Sequence, residues 1–163
     1  MRMLKLIFTL LICSVGSFSC ANLSDDDLKW VFHTLESNMR STDLTALVNV
    51  TNVATAKVDN ALAIRYSADV IDSYYGIKTK KIVYIFYTEI GDEVDLSERG
   101  LRIVSACKDE KPGEFYLADI AYVLPGESKV IEKAKDISMR IKSGQLSFYN
   151  TGEKYACETM VKK

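Results

Sequence analysis

Histidine and proline are scarce in this chain. His33 is the only histidine, and Pro112 and Pro125 are the only prolines. A metal site built from several histidines is therefore excluded, and the absence of a Cys-x-x-Cys pair argues against a structural zinc site. The chain also lacks a proline-rich linker, an internal repeat and a low-complexity tract, which indicates a single domain.

The usual signatures of catalysis and phosphate binding are also absent. The chain has no Gly-x-Ser-x-Gly motif for a nucleophilic serine and no Gly-x-x-x-x-Gly-Lys loop for a phosphate. His33 lies on a predicted helix among polar neighbours, which is typical of a surface residue. Four clustered carboxylates are more typical of a solvated loop than of a glycosidase pair: Asp92, Glu93, Asp95 and Glu98. We therefore predict no catalytic, cofactor-binding or metal-binding residue.

Positive charge is not in excess. The 21 basic and 22 acidic side chains give a net charge of −1, and such a chain is not suited to bulk electrostatic binding of nucleic acid. The one basic cluster, formed by Lys78, Lys80 and Lys81, precedes a predicted strand and is more typical of a solvated sheet edge.

The longest apolar run stands at the beginning. Arg2 and Lys5 precede about ten apolar residues, and small residues follow, an order typical of a cleavable export signal. The run is shorter than the roughly 20 residues that a membrane helix needs. We expect residues 1–21 to be a signal peptide and residues 22–163 to be one globular domain, periplasmic or secreted. Removal of the signal peptide leaves 19 basic and 22 acidic side chains, a net charge of −3.

Two covalent modifications of the exported chain remain possible alternatives, a lipid anchor and N-glycosylation. A lipid anchor on Cys20 would tether the protein to a membrane, but the bulky Phe18 makes a poor lipoprotein signal. Asn22 and Asn49 match the acceptor pattern for N-glycosylation, which matters only if the protein is eukaryotic.

Two of the four cysteines remain for the folded domain. Cys13 lies in the expected signal and Cys20 at its cleavage site, which leaves Cys107 and Cys157. In an oxidising compartment such a pair tends to form a disulfide. Its loop of about 50 residues would contribute about 4 kcal/mol in the chain-entropy account. Two free buried thiols are the alternative.

Apolar residues at helical spacing predict four helices. The first covers 25–40, with Ser24 as its N-cap. Weaker patterns predict helices over 44–54 and 59–75, although the β-branched residues of the former disfavour a helix. The last covers 128–142. The apolar face of the first helix is made of Leu28, Val31, Phe32, Leu35 and Met39.

Dense β-branched and aromatic residues predict strands in the second half of the chain. We expect strands over 80–90, 101–107 and 114–124, with a helix from Ser97 as the alternative for the second. Pro112-Gly113 and Pro125-Gly126 each fit the central positions of a type II turn. A hairpin is predicted around residues 150–152.

These elements predict an α+β domain, with N-terminal helices followed by a mostly antiparallel sheet and one further packed helix. A long N-terminal helix over a curved sheet resembles the nuclear-transport-factor-like and cystatin-like folds in its order of elements. The resemblance implies a cone-shaped sheet whose concave side holds a pocket. It implies no function.

Two functions from different classes fit the sequence. The first is an exported, non-enzymatic binding protein that acts on a protein partner, such as a periplasmic inhibitor or an immunity protein. The lack of catalytic motifs and the nine tyrosines favour it, since tyrosine is enriched at interfaces. The alternative is a secreted enzyme or small-molecule carrier with its pocket in the concave sheet.

Intact-mass measurement of the exported protein tests the signal and the disulfide together. We expect a mass that begins at Asn22 and lies two hydrogens below that of the reduced chain. A mass that includes residues 1–21, or a lipid on Cys20, would contradict this expectation.

Overall fold

The computed structural model of the protein describes residues 24–58, 61–76, 78–91, 96–97, 99–149 and 156–158. The predicted signal peptide and the predicted hairpin around 150–152 lie outside these residues. Two 3-10 turns cover Ile120–Tyr122 and Ala156–Glu158. The helices and strands are, in chain order, α1 (Asp25–Ser41), β1 (Leu44–Val58), β2 (Ala61–Tyr75), β3 (Lys81–Glu89), β4 (Gly100–Lys108), β5 (Glu114–Tyr116), β6 (Val123–Pro125) and α2 (Ser128–Lys142).

Both strongly periodic helices are confirmed. The hydroxyl of Ser24 accepts a hydrogen bond from the backbone N–H of Asp27 at 3.2 Å, which caps α1. Three aspartates in its first turn also suit the positive end of the helix dipole. Helix α2 has the predicted bounds.

The predicted helices over 44–54 and 59–75 are wrong, because these segments form the long strands β1 and β2. The first half of β1 is buried on both faces, with Leu44, Ala46 and Val48 on one side and Leu47 on the other. A strand buried on both faces is almost continuously apolar. Apolar residues then occur at positions i, i+3 and i+4 without any helix. Only one helix therefore precedes the sheet.

The sheet closes on itself as a small barrel. β1 pairs antiparallel with β2 on one side and with β4 on the other. β2 pairs with β3, β3 pairs with β5 in parallel, and β5 returns to β4. The prediction of a mostly antiparallel sheet is confirmed, since β3–β5 is the one parallel pairing among the described strands. The open cone implied by the resemblance is replaced by this closed ring.

The predicted strands agree with the structure in two of three cases. Those over 80–90 and 101–107 correspond to β3 and β4, so a helix from Ser97 is excluded over β4. The segment 114–124 is instead divided into β5 and β6 by the 3-10 turn Ile120–Tyr122, so one strand there was wrong. β6 lies beside β4 on the same edge as β5.

Only one of the two Pro-Gly pairs makes the predicted turn. Glu114 donates its backbone N–H to Lys111 O at 3.1 Å around Pro112-Gly113, and Gly113 has a φ of 84°, as a type II turn requires. At Pro125-Gly126 the turn is absent. Gly126 donates to Leu101 O instead, and an added Cβ would lie 2.6 Å from the Leu101 Cβ. This glycine lets β6 continue alongside β4.

Two hydrophobic cores share the barrel wall. One fills the barrel interior and includes a stack of Tyr66 on Tyr84, with ring centroids 4.8 Å apart. The other lies between the barrel and the helices. It is made by the inner faces of α1 and α2 and by wall residues that point outwards: Leu47, Tyr74, Ile103 and Leu124. The helices therefore form a single layer on one side of the barrel.

Cys107 of β4 is joined to Cys157 by a disulfide, with the Cα atoms 5.3 Å apart. The bridge ties the 3-10 turn Ala156–Glu158 to the end of β4. Tyr116 donates its hydroxyl to Cys157 O at 2.8 Å and supports the same junction. In the described part of the chain, neither helix has the length and hydropathy of a membrane span.

Replacing both Cys107 and Cys157 by serine tests the bridge. Because the closed loop spans 50 residues, the chain-entropy account predicts a loss of about 4 kcal/mol in the free energy of unfolding. Urea denaturation of the full chain measures it. A reducing agent should destabilise the native protein by a similar amount and leave the double variant unchanged. A native protein insensitive to reduction would contradict a stabilising disulfide.

Candidate binding surface

The sequence candidates for chemistry that the structure describes, His33 and the three lysines, belong to different elements. His33 is exposed on α1, as a surface helix residue would be. The four acidic candidates lie outside the described residues: Asp92, Glu93, Asp95 and Glu98. The basic Lys78, Lys80 and Lys81 are all exposed at the start of β3, and Lys81 lies 3.8 Å from Asp69 on the neighbouring strand. Asn49 lies within β1, between β2 and β4.

The tyrosines mostly stabilise the fold. Of the eight described tyrosines, Tyr66, Tyr74, Tyr84 and Tyr116 are buried, and Tyr87 is the most exposed, at 40%. Tyr155 lies outside the described residues. The number of tyrosines favoured an interface when only the sequence was considered. In the structure, most of the described tyrosines pack in the interior instead.

One cluster has the composition of a metal site without its chemistry. Asp43, Cys107 and Cys157 have ligand atoms within 4.8 Å of one another. Both sulfur atoms belong to the disulfide, and a metal requires thiolates. The Asp43 carboxylate also accepts a hydrogen bond from the backbone N–H of Lys108 at 2.8 Å. The cluster therefore stabilises the end of β4.

A charged cluster on the barrel wall joins two strands. Glu114 of β5 accepts hydrogen bonds from Arg65 of β2 at 2.6 Å and from Lys111 at 2.7 Å. These two hydrogen bonds hold the pKa of the Glu114 carboxyl below its usual range. Because Arg65 and Lys111 bind the same carboxylate, the cluster acts as a clamp between β2 and β5.

A buried polar junction lies where α1 meets β1. Tyr75 donates its hydroxyl to Met39 O at 2.5 Å, at the C-terminal end of α1. Thr42 lies within hydrogen-bond distance of the same hydroxyl, and Thr45 donates to it. Thr45 also pairs with Ser105 of β4 at 2.8 Å. The junction fixes the angle between the helix and the barrel and is fully occupied by internal partners.

The helices leave a groove between them on the outside of the domain. They lie side by side, with Arg140 Nη1 3.4 Å from Glu36 Oε2 and Lys133 Nζ 5.9 Å from the Phe32 ring centroid. The open groove has a volume of about 670 Å³. Its apolar part is made by Leu28 and Phe32. Charged residues of both signs complete its lining: Asp25, Lys29, Lys129, Glu132, Lys133 and Asp136.

Trp30 is a large aromatic side chain that packing in the described part of the domain does not explain. It is the only tryptophan in the chain and is 59% exposed on α1. Met139 is 63% exposed on α2. We define the helix-pair surface as the solvent-facing sides of α1 and α2, which carry Trp30, Met139 and the groove. Neither Trp30 nor Met139 lines the groove itself.

The sequence contains a signal for this surface, although no motif marks it. The apolar face of α1 runs through Leu28, Val31 and Leu35, which are buried. Trp30 falls outside that face by the helical period of 3.6 residues. A large aromatic residue outside the apolar face of a helix is exposed after folding.

No protein-family model matches the chain, and no curated protein matches it. Inference about function therefore depends on the geometry of the domain.

Because of the buried tyrosines, the free energy of unfolding should fall at alkaline pH. Burial raises the pKa values of Tyr74 and Tyr75 from 10 to about 12. Nearby carboxylates, Asp72 and Asp43, contribute to the shifts, and the hydrogen bonds from Thr42 and Thr45 partly oppose that of Tyr75. The fold favours the neutral hydroxyls. Their contribution to the free energy of unfolding is therefore complete below about pH 10 and is lost as the pH rises towards 12.

We expect at least two tyrosines to titrate well above pH 10 in the native protein, with the free energy of unfolding falling over the same range. Ultraviolet absorbance of tyrosinate and urea denaturation measure these effects. Tyr75→Phe should reduce the pH dependence and, by removing the hydrogen bond to Met39 O, cost about 1 kcal/mol at neutral pH. Native tyrosines that all titrate near pH 10 would contradict the prediction.

Proposed function

We propose that the chain is an exported, non-enzymatic binding domain that acts on a protein partner through the helix-pair surface. The observation that carries this proposal is the exposure of Trp30 in the second turn of a well-formed helix. Tryptophan is among the residues most enriched at the energetic centres of protein interfaces. Exposing 59% of its side chain is unfavourable in the free protein, and a partner would remove that cost.

The groove between α1 and α2 supports a protein partner over a nucleic acid or an anionic lipid. Its apolar part, Leu28 and Phe32, would accept an apolar side chain. The lining has three lysines and three carboxylates, so it presents no field of one sign. An interface with an apolar centre and a polar rim of mixed charge is typical of protein–protein complexes.

Export and the inhibitor or immunity class belong to the same proposal. A disulfide at Cys107–Cys157 suits an oxidising compartment. A protein that acts by covering a partner needs a rigid surface and no catalytic groups. Two helices packed on a closed barrel supply such a surface.

The alternative, a pocket inside a concave sheet, gains no support from the barrel interior. Apolar side chains and the stacked rings of Tyr66 and Tyr84 occupy that space, and Tyr84 has no exposed surface. A ligand there would have to displace this core.

Replacing Trp30 by alanine tests the proposal. The experiment is affinity capture from the exported fraction of the source cell, with the disulfide-bonded protein as bait. We expect the native protein to capture a specific partner and Trp30→Ala to weaken that binding by about thirtyfold, as for an interface hot spot. Because Trp30 is exposed, the variant should keep the native melting temperature.

Ile71→Ala is the matched control, since Ile71 is also 59% exposed but lies on β2. It should bind the partner as the native protein does. With the purified partner, the fluorescence of the single tryptophan should shift to shorter wavelength as Trp30 becomes buried. Equal capture by Trp30→Ala and the native protein, or no specific capture at all, would overturn the proposal.

A further inference from the structure

We infer that the second half of β1 is a dimerisation edge, at which two copies of this chain join their barrels by antiparallel pairing of Asn52–Val58. The juxtaposition that carries the inference is a long strand with one edge paired along its whole length and the other paired, among the described strands, only over its first half. This interface would be independent of the helix-pair surface.

The open edge follows from the pairing of β1. Its contact with β2 extends from Thr45 to Val58, whereas its contact with β4 covers only Leu44–Val50. From Thr51 onwards, no strand in the described part of the chain pairs with the second edge of β1. The backbone N–H and C=O groups that point to this edge can therefore bond another strand.

The composition of this segment lacks the usual protection of a sheet edge. Monomeric proteins commonly protect an edge with charges, prolines or short strands. Between Asn52 and Ala56 there is no charge, no proline and no glycine, and Lys57 is the one charged residue up to Val58. Apart from Val53, every side chain of the segment is exposed. An edge of this kind is expected to be covered in the functioning protein.

The occupant we infer is a second copy, because the segment is complementary to itself. A twofold axis perpendicular to the sheet pairs one residue with its own copy. With Thr55 at the axis, Ala54 faces Ala56, and Val53 faces Lys57. No like charges oppose each other. Thr–Thr is a favourable cross-strand pair.

This register also fits the limits of the free edge. It pairs Asn52 with Val58, so the contact begins just beyond the residues that β4 occupies. A register centred further towards Val50 would compete with β4. The result is a continuous sheet through the β1 strands of both copies.

The size of the contact predicts a weak dimer. Seven residues at about 3.3 Å each span about 23 Å, which is short for an interface of the standard size of about 800 Å² per partner. The association should therefore depend on concentration.

Analytical ultracentrifugation of the full chain, exported so that its disulfide forms, tests the inference. The concentrations should range from about 10 μM to about 1 mM. We expect a monomer–dimer equilibrium in the native protein. Thr55→Lys places two positive charges opposite each other and should abolish the dimer in the same range. Gln145→Lys adds the same charge at an exposed position away from β1 and should leave the dimer intact.

Opposite charges at the same position should restore association. A mixture of Thr55→Lys and Thr55→Glu should form a heterodimer, although each variant alone is monomeric. Circular dichroism of both variants should match the native protein, because Thr55 is exposed. Trp30→Ala should dimerise normally, which separates this edge from the helix-pair surface. A native protein that stays monomeric, including one whose edge binds a strand of another protein, would overturn the inference. So would a dimer that persists in Thr55→Lys.

Discussion

The double burial of the first half of β1 is the constraint on which the rest of the structure depends. Between Leu44 and Val50 this strand is hydrogen-bonded to β2 on one side and to β4 on the other. Its side chains enter the barrel interior on one face, while Leu47 enters the core beneath the helices on the other. The closure of the barrel and the docking of α1 and α2 therefore depend on the same seven residues.

This double burial also explains where prediction from sequence succeeds and where it fails. α1 and α2 each bury one face, so their apolar period is clear and their bounds could be predicted. β3 is short and rich in β-branched and aromatic residues, which indicated a strand. β1 buries both faces, and its nearly continuous apolar residues matched a helix as well as a strand. Its β-branched residues were the better indicator.

The candidate site could be predicted only in part. The pairing of Cys107 with Cys157 followed from elimination, because the other two cysteines lie in the expected signal and at its cleavage site. The position of Trp30 outside the apolar face of α1 was readable from the helical period. The groove could not be predicted, since it depends on the parallel packing of α1 against a helix that begins about 100 residues later. The free edge depends on where β4 ends, which is likewise a matter of tertiary pairing.

The two proposed surfaces both depend on β1, the helix-pair surface on its first half and the dimerisation edge on its second half. Where β4 pairs with β1, the wall is complete, and its outward side chains hold the helices that present Trp30. The register of β1 with β2 shifts between Val50 and Asn52, at the residue where pairing with β4 ends. Beyond that bulge, no strand in the described part of the chain pairs with the second edge of β1. A bulge at such a point turns the strand away from the closed ring, so barrel closure and an open edge are compatible within one strand.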